Sequence, residues 1–304
     1  MKMISRDRWR GGLIVLAVVL CCASLLAVRV TPANAAADEE DVFSAGNLVA
    51  WCIVPFDANK RGPEERAQML NRLGLKRLAY DWRNEHIPTF DLEVETMQRH
   101  GIEITAWWFP GGLNDAAKKI LDCLARHQVK TQLWISLGDP APQSPQADKV
   151  HAAAAAIRPI AQAAEKIGCS VALYNHGGWF GEPENQVAII EHLQMANVGI
   201  VYNFHHGHSH LARFPELLRK MQPHLLALNL NGMVIDGDKT GKKILTLGEG
   251  DQDLGLLKTI RASGWRGPVG VLDHRGETDS EVTLRANLAG LERLRKQLAA
   301  EAKE

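Results

Sequence analysis

Cysteine is scarce, with five in 304 residues. Cys21 and Cys22 fall in an apolar N-terminal run, which leaves Cys52, Cys123 and Cys169 for the rest of the chain. Three is an odd number and their spacing is wide, which argues against a disulfide-stapled scaffold even though export would permit one. Cys52 and Cys169 lie in strand-like apolar runs and Cys123 in a helical pattern, where thiols act as small buried apolar groups. An excess of charge is also lacking: 35 basic residues face 35 acidic ones. With no basic run, there is no electrostatic footprint for nucleic acid. The first strand-like run leads through "WCIVPFDANKRG", which has no glycine-rich phosphate turn. An open, doubly wound dinucleotide-binding sheet usually has one at that place.

One long apolar run is present, over residues 13–28. Lys2, Arg6, Arg8 and Arg10 precede it, and Ala33-Asn34-Ala35 follows within "TPANAAADEE". That order predicts a signal peptide over 1–35, cleaved near Ala35, and an exported protein, periplasmic or extracellular. An uncleaved anchor is the alternative, since a spanning helix needs about 20 apolar residues. Residues 36–304 retain 30 basic and 34 acidic residues, a net charge near −4. Residues 36–45 read as a mobile lead-in and 46–304 as one domain, with no stable membrane association after cleavage. The sequence leaves the oligomeric state open.

From residue 48 onward, short β-rich apolar runs alternate with helical patterns. The runs are 48–54, 76–82, 102–109, 130–137, 169–175, 198–203, 224–231 and 268–273. Between them, "GPEERAQMLNRLG" places Pro63 in a first helical turn and Gly74 past the end. The Ala-rich stretch 145–167 and the closing segment from Ser280 are the longest helical patterns. Eight strands separated by helices predict an α/β fold, a single (β/α)8 TIM barrel, and about 250 residues is the usual size for one.

In such a barrel the active site lies at the C-terminal ends of the strands. The residues found there are Asp81, Trp82 and His86 after the second run, then Trp107, Trp108 and Trp134. Asn175, His176 and Trp179 follow the fifth run, Asn203 and His206 end the sixth, and Asn229 and Asn231 end the seventh. Asp273 and Arg275 follow the eighth. Six of the seven tryptophans beyond residue 35 lie in or just after the first five runs. Aromatic faces beside Asn, Asp and His suit a small carbohydrate, whose C–H faces pack on rings while its hydroxyls hydrogen-bond. Asp81, His176 and Asp273 are the candidate catalytic acids and bases. The stretch "FHHGHSH" is expected to form a pocket-edge loop, with His206 facing the ligand and His208 and His210 mostly solvated. No tight metal site is expected from so close a cluster, because tetrahedral zinc needs three or four well-placed ligands. His176, His206 and Asp273 form the alternative metal set, suited to Zn²⁺ over Mg²⁺.

"LGEGDQDLGLLKTIRASGWRGPVGVLD" resembles a signature of the xylose isomerase-like TIM-barrel superfamily, the sugar-phosphate isomerases and epimerases. It has the Gly-x-Gly-(Asp/Gln)-x-Asp turn, the helix after it and the step into strand eight. "VALYNHGG" and "VYNFHH" are similar to the family's ends of strands five and six, and the likeness spans nearly all of 46–298. The resemblance implies one divalent ion held by Glu, Asp, His and Glu from strands five to eight. Here Tyr174, Asn203 and Asn229 stand at the first three places, and Asp273 is the nearest equivalent of the fourth. His176 and His206 match the accompanying histidines. With one carboxylate left, such a site binds hard ions weakly or not at all, and Zn²⁺ or Mn²⁺ if any. The expected function is proton abstraction next to a sugar carbonyl, in an isomerase, epimerase or lyase. His206, Arg275 and the asparagines would hold the oxyanion. A carbohydrate-binding barrel without catalysis is the alternative.

Overall fold

The computed structural model describes residues 41–301. The signal-peptide expectation, with Cys21 and Cys22, lies outside the described residues, as do residues 36–40 of the lead-in; in its other half Val42 and Phe43 are buried in the core. Eight parallel strands close in sequence order into a barrel. They are β1 Leu48–Trp51, β2 Arg77–Tyr80, β3 Glu103–Trp108, β4 Gln132–Ile135, β5 Ser170–Tyr174, β6 Val198–Asn203, β7 Leu225–Leu230 and β8 Val269–Leu272. The helices are α1 Pro63–Arg72, α2 Phe90–Arg99, α3 Asp115–Arg126, α4 Gln146–Lys166, the short α5 Gly178–Gly181, α6 Pro183–Leu193, α7 Phe214–Met221, α8 Asp253–Ala262 and α9 Ser280–Glu301. α1 begins on Pro63, and its exit uses Gly74 at φ +72°, as its sequence predicts. Among the described residues no helix is long and apolar enough to cross a membrane.

Strand alternation divides the core into two layers. Outward-facing residues such as Leu78, Tyr80, Leu133, Val171 and Ile200 pack under the helices. Inward-facing positions join Ala79, Ala106, Ala172 and Ala227 to Trp51, Trp134 and Tyr174. The small residues make room for the large ones. A Cβ at Gly270 would lie 2.3 Å from the Trp51 ring and 2.5 Å from Asn229 Oδ1, so β8 needs glycine there. The three cysteines are free and buried.

Between β7 and α8 runs a long loop, residues 231–252, that folds back over the barrel mouth. Asp253 holds its end: the carboxylate accepts from the backbone N–H of Met233 at 2.7 Å, Gly248 at 2.7 Å and Gly250 at 3.2 Å. A Cβ on Gly250 would come within 2.3 Å of the Met233 backbone. The Gly-x-Gly-x-x-Asp pattern is therefore a loop clamp.

Candidate functional site

Four aromatic rings fill the barrel just below its C-terminal mouth. Trp51 and Trp134 are 4.0 Å apart between centroids, Trp108 and Trp134 4.7 Å, and Trp134 stacks on Tyr174 at 6.1 Å and 8°. Trp51 and Trp134 are buried, whereas Trp108 is half-buried and reaches the opening. Trp134 Nε1 donates to Gln132 Oε1 at 2.9 Å, deeper in the barrel. On the Tyr174 side, Asn203 Nδ2 donates to the Tyr174 hydroxyl at 2.6 Å, and Asn229 Nδ2 donates to Asn203 Oδ1 at 2.7 Å.

These three side chains occupy the places where the family resemblance implies metal ligands. They are neutral and engage one another. Asp273, the fourth place, follows an inward-facing Leu272. It is fully buried and accepts from Ser280 Oγ at 2.5 Å at the start of α9. Burial pushes its carboxyl up to about 7. Three neutral donors, with the one carboxylate engaged by Ser280, do not fit Mg²⁺ or Mn²⁺, which take hard, charged oxygen ligands. Among the described residues, the trio whose ligand atoms lie within 4.8 Å of one another is Asp91, Cys123 and His127, not His176, His206 and Asp273.

Above the ring layer lies a row of aromatic and imidazole rings. Centroids are 3.9 Å apart for Phe56 and His274, 4.7 Å for His274 and His205, 4.5 Å for His205 and His206, and 4.4 Å for His206 and His176. Burial, then His205, His176 and Lys243, lowers His206 to about 2. Burial, then His274 and Lys243, lowers His205 to about 3. His176 and His274 are also held below the usual imidazole range, mainly by burial. At neutral pH the row therefore presents uncharged imidazoles. His176 is exposed and His206 half-buried.

Asp81 lies at the end of β2, 1% exposed. Its Oδ1 accepts from Val54 N–H at 3.2 Å, while its buried Oδ2 has no partner. Burial, opposed by Arg83 and by backbone donors, raises its carboxyl to about 7. Cys52, at φ +58°, is buried nearby, and burial and then the Asp81 charge push its thiol up.

The other sequence-derived candidates have their side chains engaged by neighbours. Trp107 is fully buried and faces outward, against Tyr80 at 4.5 Å and Phe90 at 5.0 Å. Trp82 donates to the Trp108 carbonyl at 2.7 Å and packs edge-on against Phe90 in the outer layer. Asn175 is buried with both amide groups engaged by the backbone of Asn203, at 3.1 and 2.7 Å, so it ties β5 to β6. Asn231 is buried, donating to the Gly232 carbonyl at 3.0 Å. His86 accepts from Arg83 N–H at 2.8 Å in a 3₁₀ turn, residues 84–89. Trp179 is half-buried against α4, donating to Gln146 Oε1 at 2.7 Å. Arg275 donates to the Ile244 carbonyl at 3.2 Å and secures the covering loop.

His208 and His210 are buried, not solvated. His208 Nε2 is 3.0 Å from the Lys243 carbonyl, and His210 Nδ1 is 3.1 Å from the Tyr202 hydroxyl. Phe56, His205, His274 and Lys243 were not among the site residues expected from sequence. "DHRGE" contains His274, but nothing local marks Lys243, whose place depends on the loop's return.

A family model described as a xylose isomerase-like TIM barrel matches residues 95–296, and the chain belongs to that family. No curated protein gives a significant match. Among solved structures, the chain resembles 3-keto-D-glucoside 4-epimerase from E. coli, with 15% identity, TM-score 0.60 and coverage of 83% of this chain and 99% of that one. It also resembles an L-ribulose 3-epimerase, with 14% identity, TM-score 0.64 and coverage of 84% and 97%. A third is the probable 3-DHS dehydratase from Bacillus anthracis, with 13% identity, TM-score 0.62 and coverage of 80% and 98%. At these identities the likeness is one of fold.

Proposed function

We propose that this xylose isomerase-like barrel is a carbohydrate-active enzyme of isomerase or epimerase type. His176 removes a proton from the carbon next to a sugar carbonyl. The observation that carries the reading is the pairing of His176 and His206, 4.4 Å apart across the ends of β5 and β6. Both are held below the usual imidazole range, so the ring that accepts the proton is free at neutral pH. His206 and the Lys243 ammonium beside it supply hydrogen bonds and positive potential to the developing enolate oxygen. Trp108 and Phe56 offer ring faces to the sugar's C–H surface. Asp81 is the second candidate base, set deeper. The fold likeness to proteins named as epimerases of a keto-glucoside and of ribulose supports the substrate class. Asp273, turned toward α9, has a positioning role.

A second reading has its own support. The ring layer fills the barrel where the resemblance implies an ion, and a barrel that binds carbohydrate without turning it over needs no more than that. Turnover assays against a panel of neutral and 3-keto sugars, with His176→Gln in parallel, separate the two. Conversion lost in the variant supports the enzyme, and binding without conversion supports the second reading.

Export belongs to the same proposal and rests on residues 1–35 alone. Intact mass of protein from its native host should show a mature chain starting near Ala36. A species that retains Met1 would favour an anchor.

A further inference from the structure

Away from the barrel mouth, three different donor types converge between two helices. One carboxylate oxygen of Asp91, the Cys123 sulfur and one imidazole nitrogen of His127 lie within 4.8 Å of one another. Cys123 and His127 are four residues apart at the end of α3, so one helical turn places both on the same face. Asp91 reaches them from the first turn of α2, with its Oδ1 2.8 Å from His127 Nε2. Cys123 is 1% exposed, so its sulfur meets the site from the protein side. A groove of about 380 Å³, lined in part by Pro88, Lys119 and Asp122, opens beside the carboxylate and the thiol. Arg126 Nη2 donates to both oxygens of the Asp91 carboxylate, at 2.7 and 2.9 Å. Its side chain is 55% exposed, so it can turn into solvent.

We propose that Asp91, Cys123 and His127 form a binding site for a divalent transition ion of zinc type, which clips α2 to α3. Thiolate and imidazole are the donors that select Zn²⁺ or Co²⁺ over Mg²⁺ and Ca²⁺, and one carboxylate completes a three-ligand set. Water from the groove takes the fourth position. On binding, the thiol gives its proton to solvent and a metal–sulfur bond forms, while Arg126 releases the carboxylate. The site shares no residue with the proposed sugar site.

Co²⁺ titration of the reduced, full-length protein tests this. Wild type should bind one equivalent, with a thiolate-to-cobalt charge-transfer band in the near ultraviolet. The band should vanish in Cys123→Ala. His127→Gln and Asp91→Asn, which change partly exposed side chains and spare the core, should weaken binding by about tenfold or more. Arg126→Ala should tighten it by freeing the carboxylate. A wild type without the band would reduce the trio to a surface ion-pair network. A band that persists in Cys123→Ala would assign it to another thiol. Unchanged affinity in both His127→Gln and Asp91→Asn would also overturn the site.

Discussion

The Tyr174 hydroxyl accepts a hydrogen bond from Asn203 Nδ2 at 2.6 Å, joining the ends of β5 and β6 inside the barrel. With Asn229 bonded to Asn203 Oδ1 at 2.7 Å, neutral groups satisfy one another where the family resemblance implies charged ligands around an ion. Tyr174→Phe would leave a buried amide donor without its partner. A loss of about 1–3 kcal/mol in urea unfolding is expected. An unchanged midpoint would show that the bond contributes nothing.

The same chain of contacts predicts a gain of function. Tyr174→Glu combined with Asn203→Asp and Asn229→His restores hard and imidazole donors at three strand ends. Isothermal titration should show Mn²⁺ binding stronger than in wild type. No gain would mean that these strand ends are out of register with the family pattern.

The tryptophans should separate by layer. Trp134→Ala and Trp107→Ala each empty a buried site and should cost about 3–5 kcal/mol of stability. Trp107 faces the helices, so its loss should leave carbohydrate affinity unchanged. Trp108→Ala should weaken binding by about 1 kcal/mol. Denaturant curves and sugar titrations on the three variants check this. Weaker sugar binding in Trp107→Ala would contradict the two-layer assignment.

Two opposed pH dependences are built into the mouth. Asp81 has its carboxyl raised to about 7 by burial, against about 3.9 in an unfolded chain. The folded state binds the proton more tightly, so stability is full below pH ~4 and is lost as pH rises toward 7. His205 is lowered to about 3, against about 6.5 unfolded. Its contribution is present above pH ~6.5 and is lost as pH falls toward 3. Asp81→Asn should therefore gain stability over wild type at pH 8, on the order of a few kcal/mol, and little at pH 4. Parallel unfolding curves at the two pH values measure it. An equal difference at both would mean that the Asp81 carboxyl is not perturbed.

All eight strands were legible because each is a short apolar run closed by a polar or glycine-containing loop. Helix ends were legible where Pro63 and Gly74 mark them. The side each residue faces was harder to read. Trp107 and Trp108 are neighbours with the same chemistry, and only the barrel's register sends one outward and the other into the mouth. Likewise Asp273 follows inward-facing Leu272 and so turns toward α9. The burial of His208 depends on a loop that returns from more than 30 residues away, contacting it through the Lys243 carbonyl. Local sequence carries no trace of that contact. Asn175 and Asn203 were identifiable as strand-end polar residues, but their commitment to each other arises from β5–β6 pairing.

Solvent-deuterium exchange into a keto-sugar tests the central claim most directly. The protein is incubated in D₂O with each of a panel of 3-keto and 2-keto sugars, and label at the carbon next to the carbonyl is read by NMR. The account predicts label in at least one sugar, with the rate lowered ~10²-fold or more in His176→Gln while the variant stays folded. No label with any sugar, despite measurable binding, would contradict proton abstraction and leave a barrel that only binds. Full exchange in His176→Gln would move the base to another residue, with Asp81 the first to examine.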